Sequence, residues 1–294
     1  MAFTKKSLSL VFTLGKGTFG ETGMNQVTVE GLRISAKIIK GGNSQQNGCQ
    51  LRIFGLTSTI YNELASIYPV NLGTKRNTVQ VSAIDGDSIP LVVFDGQITL
   101  SQIDLNSQPD VVMNIIAQSA LLQALKPVAA TSYPGSFDVS TALKKLADTM
   151  GVSFTNCGVT AQLPKGNFPG TAWQQVRAIV DASGIGCNNI DNGKLVIWPK
   201  GGSRTDISPI PIITYQDNMI GYPSYSSIGI GIKCLYNQNI QLGGNVIIKS
   251  SLTELPGLNG TWTAYNVIHT LESEMPDGQW LTEFQGWSAG AINA

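Results

Sequence analysis

A mainly β fold with one small α+β insert is the class this sequence predicts, on three observations. Apolar and polar residues alternate with period two over 8–14 and 26–40, and strand-like runs recur at 78–84, 91–103 and 261–272. Glycine clusters punctuate these runs, and 32 glycines in 294 residues supply turns for many short strands. Between 127 and 200 the pattern changes to two segments with helical spacing, laid out alike.

The first region, 1–126, is read as β. In 8–14, Leu8, Leu10, Phe12 and Leu14 alternate with Ser9 and Thr13, which is a strand. The alternation also argues against a signal peptide, which wants about 7–15 continuous apolar residues. Run 26–40 alternates too: Val27 and Val29 are apolar, then Leu32, Ile34, Ala36 and Ile38. Residues 41–44 form a turn cluster. Strand 50–56 has Leu51 and Ile53 on one face and is broken by Gly55. Thr57 is placed to cap a short helix with Ile60, Leu64 and Ile67 on its apolar side and Pro69 past its end. Strands 78–84 and 91–103 follow, the second with a bend or bulge at Gly96. The chain turns at 106–110, and the apolar run 111–120 fits either strand or helix.

In 127–200, the stretches PGSFDVSTALKKLADTMGVSF and PGTAWQQVRAIVDASGIGC can be laid over each other. Val139, Leu143, Leu146, Ala147 and Met150 share one helical face, as do Trp173, Val176, Ile179 and Val180. Asp148 precedes Gly151 by three residues, and Asp181 precedes Gly184 likewise. Each glycine is placed just past a helix, where φ > 0 is needed, and a strand begins beyond it. Asp191, Asn192 and Gly193 signal a tight turn before a strand at 194–198. The last region, 201–294, returns to β, with strands at 229–235, 245–251, 261–272 and 280–286 and turns at 243–244 and 256–260.

Bulk composition narrows the function. Charged residues make up only 13% of the chain, about half the usual share. Lys plus Arg equals Asp plus Glu at 19 each, which argues against a dedicated binder of phosphate backbone. Uncharged polar residues fill the surface, as suits a subunit covered by neighbours in an ordered assembly. No stretch is long enough to span a membrane as a helix, so no membrane anchor is expected. Cys49, Cys157, Cys187 and Cys234 lie far apart with no CxxC pair, and are read as reduced structural thiols.

The motifs that carry chemistry fail one by one. LGKGTFGE, 14–21, contains G-x-G-x-x-G, and Lys37 lies where a kinase would place its phosphate-pairing lysine. Phosphoryl transfer also needs H-R-D-x-x-x-x-N and D-F-G. The one histidine, His269, has no Arg-Asp after it, and Phe94, Asp95 and Gly96 come in the wrong order. Thr22 occupies the position of the loop's valine. The loop is therefore read as a turn between strands 8–14 and 26–30. No helix follows it, so it is no dinucleotide fingerprint either. No G-x-S-x-G is present, and a triad would depend on His269 in a strand-like run, where a packed histidine is the simpler reading. Asp85, Gly86 and Asp87 lack the further carboxylates of a calcium loop and read as a turn. Glu272 and Glu274 read as an exposed acidic strand face. Trp173 has core spacing, while Trp262, Trp280 and Trp287 sit in β segments and offer a sugar-binding surface as the sharper alternative. No catalytic, cofactor-binding or metal residue is assigned.

The order of motifs then matters more than any one of them. FTLGKGTFG, VTVEGLRISAKIIKGG, CQLRIFGLTSTIYNELA, PDVVMNIIAQSALLQALKP and SYPGSFDV follow in series. FPGTAWQQV, DNGKLVIWPKGG, MIGYPSYSSIGIGIKCLYN, IQLGGNVIIKSSL and LESEMPDGQW complete it. In this order the chain resembles the baseplate hub proteins of tailed bacteriophages. The resemblance implies two tail-tube-like β-barrel domains, 1–126 and 201–294, flanking the α+β insert 127–200. It implies a homotrimeric ring, a structural part of the virion made in the host cytoplasm. Its implied partners are the tail tube or distal tail protein above, a central spike or tip protein below and a tape measure protein, with DNA passing through the lumen. The other reading from the residues is a tail protein that binds or degrades host glycan.

Overall fold

The computed structural model describes residues 4–20, 23–41, 46–65, 76–86, 88–106, 110–226, 229–249 and 257–288. Packing divides the chain into two compact units. Unit 1 takes 1–39, 47–119 and 269–281, and unit 2 takes 40–46, 120–268 and 282–294.

Unit 1 is an antiparallel sheet. Its order is the end of β19 (Gly260–Ser273), β3 (Ile34–Gly41), β4 (Gly48–Phe54), β7 (Val112–Gln118), β6 (Leu91–Asp104), β5 (Thr78–Asp85), β1 (Lys6–Thr13) and β2 (Gln26–Val29). The alternation seen in the sequence becomes one buried face. Ile34 lies opposite Ile53 and Ile53 opposite Met113; Ala36, Leu51 and Ile115 form the next row, and Ile38, Cys49 and Ala117 the next. All nine are buried, as are Leu8, Leu10 and Phe12 on β1. Each such large side chain is worth about 1.5–3 kcal/mol on burial. Lys37, Gln50 and Arg52 point to the other face and are exposed.

The run 26–40 is two strands rather than one. Its apolar residues change from odd to even positions between Val29 and Leu32, and a turn at 30–33 with Gly31 at φ 68° absorbs the change. The irregularity expected at Gly96 sits on either side of it. The β5·β6 register slips at Val93 and the β6·β7 register at Thr99. Gly96 itself is required by close approach, since a Cβ there would stand 2.6 Å from the Gln118 carbonyl oxygen. Run 111–120 resolves as a strand, β7, followed by a short helix α2 (Leu121–Leu125) that the periodicity did not announce. Thr57 is the N-cap of α1 (Ser58–Leu64), but its hydroxyl makes no capping bond. Ile67, Pro69, turn residues 42–44 and 107–109, 250–251 at the end of strand 245–251 and 256 of turn 256–260 lie outside the described residues.

Unit 2 contains the two expected helices. In α3 (Val139–Met150) the Asp138 carboxylate accepts from the Thr141 N–H at 2.7 Å. In α4 (Ala172–Ser183) Thr171 and Gln174 form a reciprocal capping box. Gly151 at φ 70° and Gly184 at φ 66° end them in the left-handed conformation. Val139, Leu143, Leu146, Val176, Ile179 and Val180 share one core. The strands after the helices, β10 (Ser153–Asn156) and β13 (Gly186–Cys187), flank β14 (Lys194–Trp198). Asn192 and Gly193 both have positive φ, at 47° and 70°, and Asp191 and Lys194 exchange backbone hydrogen bonds across them. That is a type I′ turn. Two small ribbons pair β8 (Thr131–Tyr133) with β12 (Gly166–Phe168) and β9 (Phe137–Asp138) with β11 (Gln162–Leu163). Strands of two or three residues show no usable periodicity.

The other part of unit 2 is ordered β16 (Ser224–Ser226), β17 (Gly229–Leu235), β20 (Trp280–Ser288), β19, β18 (Asn245–Lys249) and β15 (Ile212–Thr214). Ile213, Ile230, Ile232, Val246, Ile248 and Phe284 belong to its own core, separate from that of the helices.

Candidate functional site

The glycine loop is a hairpin connection. It joins the antiparallel strands β1 and β2, and three of its N–H donors are taken within the unit. Leu14 N–H donates to Asn25 O, Phe19 N–H to Met24 O and Gly15 N–H to the Asn77 side chain. Lys37 is exposed on β3 opposite Gln50. Glu21 and Thr22 lie outside the described residues. His269 is buried on β19, with 1% of its surface exposed. Phe94 is a core residue, and burial raises the Asp95 carboxyl above the ordinary range. Asp85 is bound by Lys6 and Thr4, whose hydrogen bonds hold its carboxyl low, while Asp87 lies outside the described residues.

Glu272 and Glu274 are absorbed by structure. Glu272 accepts from the Ser35 hydroxyl at 3.2 Å and the Gln279 N–H at 2.9 Å, and Glu274 pairs with Lys5 at 2.6 Å. Trp173 and Trp262 are buried, and the Trp262 indole N–H donates to Leu258 O. Trp280 and Trp287 are half-buried, and Trp287 stacks on Tyr265 with centroids 5.0 Å apart. All four cysteines are buried free thiols, and burial pushes Cys187 and Cys234 up to about 12. Among the described residues no group of three or more His, Cys, Asp or Glu is placed to hold a metal ion, and no helix is long and apolar enough to cross a membrane.

The strongest electrostatic cluster lies in unit 2. The Asp206 carboxylate accepts from Arg204 Nε and Nη2 and from Lys194 Nζ, each at 2.9 Å, and the Cys157 thiol lies 3.5 Å away. The Arg204 guanidinium and the Lys194 ammonium hold Asp206 well below the usual carboxylate range, against the opposing effect of burial. A second buried pair joins Lys40 to Asp191 at 2.6 Å. Both pin connecting segments to the framework.

What the surface does offer is recognition. In unit 1, Arg33 lies 4.5 Å and Arg52 5.8 Å from the Phe54 ring, beside a groove of about 280 Å³. In unit 2 a groove of about 300 Å³ runs over β17, β19 and β20. Ile210, Ile212, Tyr215, Ile220, Tyr222 and Tyr225 are all substantially exposed there or nearby in sequence. The sequence reading missed this cluster, although three tyrosines and four isoleucines within sixteen residues were its signal.

The exposed tyrosine-rich face fits a protein that makes contacts. The family model for Baseplate hub gp41 matches residues 7–280. The chain belongs to the baseplate hub gp41 family. The tail protein of Neisseria meningitidis MC58 is similar in structure, with a TM-score of 0.65 over 98% of each chain at 13% identity. A 43 kDa tail protein of prophage MuSo2 from Shewanella oneidensis gives 0.60 over 98% of each chain at 10% identity. An E. coli type VI secretion component, described as structurally similar to T4 tail proteins gp27 and gp5, gives 0.54 at 8% identity over 87% of this chain and 73% of that one. At these identities the likeness establishes the fold. A comparison with curated sequences finds no match. The hub family and the mainly β class are thus as the order of motifs implied, and the chain is a member of a structural tail-protein family.

Proposed function

We propose that this chain is a non-enzymatic hub at the tip of a bacteriophage tail, forming a trimeric ring that joins the tail tube to a central spike or tip. The observation that carries the reading is the hub-family match over 7–280, on a fold shared end to end with phage tail proteins. In this reading 1–126 and 201–294 act as two tube-like β-barrel domains and 127–200 as the insert between them. Antiparallel strands at both ends of the chain and a separate helical core running from Ala120 to Ile197 support that division, while 269–281 of the C-terminal region pack in one unit with the N-terminal strands.

The physical logic is one of symmetry. A sixfold tube cannot make six equal contacts with a threefold body unless each subunit offers two similar faces. Two barrels per chain solve this, because three chains then give six positions. The lumen is polar without being strongly basic, so that DNA slides rather than binds, and zero formal charge is consistent with it. The partners are further copies of the chain, the tube or distal tail protein, the spike or tip and the tape measure protein. The protein resides in the virion after synthesis in the host cytoplasm. Burial of Trp173 and Trp262 takes two tryptophans out of the glycan reading, which retains the half-buried Trp280 and Trp287.

Light scattering at several concentrations, followed by imaging of the complex with its tube neighbour, tests the proposal. Trimers or threefold density at the tail tip are expected. A strictly monomeric or dimeric protein with no threefold density in the assembled tail ends it.

A further inference from the structure

Unit 2 holds a cavity of about 340 Å³, lined by the end of α4, the segment 198–202 and residues of β19 and β20. Its volume is at the lower end of the roughly 300–1,000 Å³ range of small-molecule sites. Nitrogen donors on its wall lack matched acceptors. Trp198 is only 7% exposed, and none of the described residues accepts from its indole N–H. A Cβ at Gly186, another wall residue, would collide with that N–H, so only glycine gives the indole edge its place. The Arg177 guanidinium makes no hydrogen bond to a described residue. Its Nε is buried without a partner, and its Nη2 reaches the largely exposed Asp181 only at 3.7 Å. The Lys200 ammonium is exposed and enters no ion pair among the described residues. Buried donors without acceptors are few in native structures, and each calls for a partner.

Charge selects among the acceptors that could meet these donors. The charged residues of the wall are Arg177, Lys200 and Asp181, two cations against one carboxylate, which leaves a single positive charge. The buried Cys187 thiol donates to the Asn188 carbonyl at 3.1 Å and adds no charge. A monoanion balances this wall. A phosphate monoester, at close to two negative charges, would overshoot it. A carboxylate brings one charge and two acceptor oxygens, which guanidinium, ammonium and indole N–H groups can share. The rest of the wall is apolar. Ile185 and Leu242 are buried, and the stacked rings of Tyr265 and Trp287 stand 5.0 Å apart. Such walls suit an aliphatic or aromatic body behind the charged end.

We propose that this cavity binds a carboxylate carried on a small apolar body. Arg177, Lys200 and the Trp198 N–H take the carboxylate, and the aliphatic and aromatic walls take the body. A free organic acid and the C-terminal residue of a partner chain both present this chemistry. The site goes beyond the trimeric reading above and does not rest on it.

Calorimetric titration of the full chain with 4-phenylbutyrate and with acetyl-glycyl-leucine, each against its uncharged amide, tests the site. Saturable binding of at least one free acid is expected, with its amide weaker by about 10-fold or more. The acid that binds more tightly names the source. Lys200→Met, at an exposed position, should weaken binding by about 10-fold or more. Asp181→Asn removes the competing carboxylate and should tighten it. Unchanged circular dichroism establishes that both variants fold. Phenyl phosphate should bind more weakly than the better acid. No saturable binding of either acid in the millimolar range overturns the proposal. An amide that binds as well as its acid overturns it too, since the cavity would then be merely apolar. A phosphate that binds more tightly than both acids, or folded variants that bind as the wild type does, has the same force.

Discussion

Asp206→Asn tests how unit 2 is held together. The wild-type carboxylate takes three charged hydrogen bonds of 2.9 Å, two from Arg204 and one from Lys194. The Arg204 side chain is only 5% exposed, and its other contact is a long bond to Leu242 O at 3.4 Å. Neutralising Asp206 leaves that guanidinium buried without compensation, which costs about 3–5 kcal/mol. Lys194 is 38% exposed and can return to water, so it adds at most about 1 kcal/mol. The expected loss at pH 7 is therefore about 3–6 kcal/mol, read as a lower urea midpoint with tryptophan fluorescence. Trp198, clustered with Cys157, Val196 and Leu242, is the local reporter. The pH dependence carries a sign. Asp206 is held below its unfolded value of about 3.9, so its stabilisation is complete above that value and is lost as pH falls through the folded one. The gap between wild type and variant should narrow below pH 4. Replacing both partners, Arg204→Met with Asp206→Leu, should recover most of the loss. A variant within 0.5 kcal/mol of wild type (on the order of a neutral surface substitution), or a gap unchanged at low pH, would refute the reasoning.

Leu146→Ala opens a cavity between the two helices of unit 2 and should cost about 2–5 kcal/mol by denaturant unfolding; unfolding at the wild-type midpoint would mean that the helix face is misassigned. Gly96→Ala should be strongly destabilising, because its Cβ meets the Gln118 carbonyl at 2.6 Å, whereas Gly135→Ala, with nothing within 4 Å, should be tolerated. Burial raises Cys187 and Cys234 to about 12, so the stability they contribute is whole below about pH 8.5 and is lost as pH rises toward 12; alkaline titration of unfolding should show it, and rapid thiol labelling of the folded protein at pH 8 would contradict it. Calorimetric titration with Mg-ATP should give no saturable binding, and micromolar binding abolished by Lys37→Ala would restore the nucleotide reading of the glycine loop.

Elements whose signals are local were legible in the sequence. The helices α3 and α4 carry their start in Asp138 and Thr171 and their stop in Gly151 and Gly184, all within one turn of the ends. Strand β17 was read with its exact bounds, because Ile230, Ile232 and Cys234 alternate with exposed or half-buried neighbours between turn residues. Partners distant in sequence were not legible. β1 pairs with β2 across the glycine loop, as its turn reading implied, but also with β5, and Ser273 bonds to Leu32, a separation of 241 residues. Nor were the slips at Val93 and Thr99, which are set by what lies across the sheet rather than along the strand.

The same division explains what was missed at the surface. Periodicity identifies residues that face a core, and it is silent about an apolar residue whose complement lies on another molecule. Tyr222 and Ile89 break no strand pattern. They become conspicuous only when the fold has taken up the neighbouring apolar residues and left these outside. Arg204, Asp206 and Lys194 show the converse case, because each finds its complement within the chain and their charges bind one another. Tyr222 and Tyr225, 72% and 53% exposed, find no such complement in the core of their own unit, and a pattern read along one chain carries no signal for what would cover them.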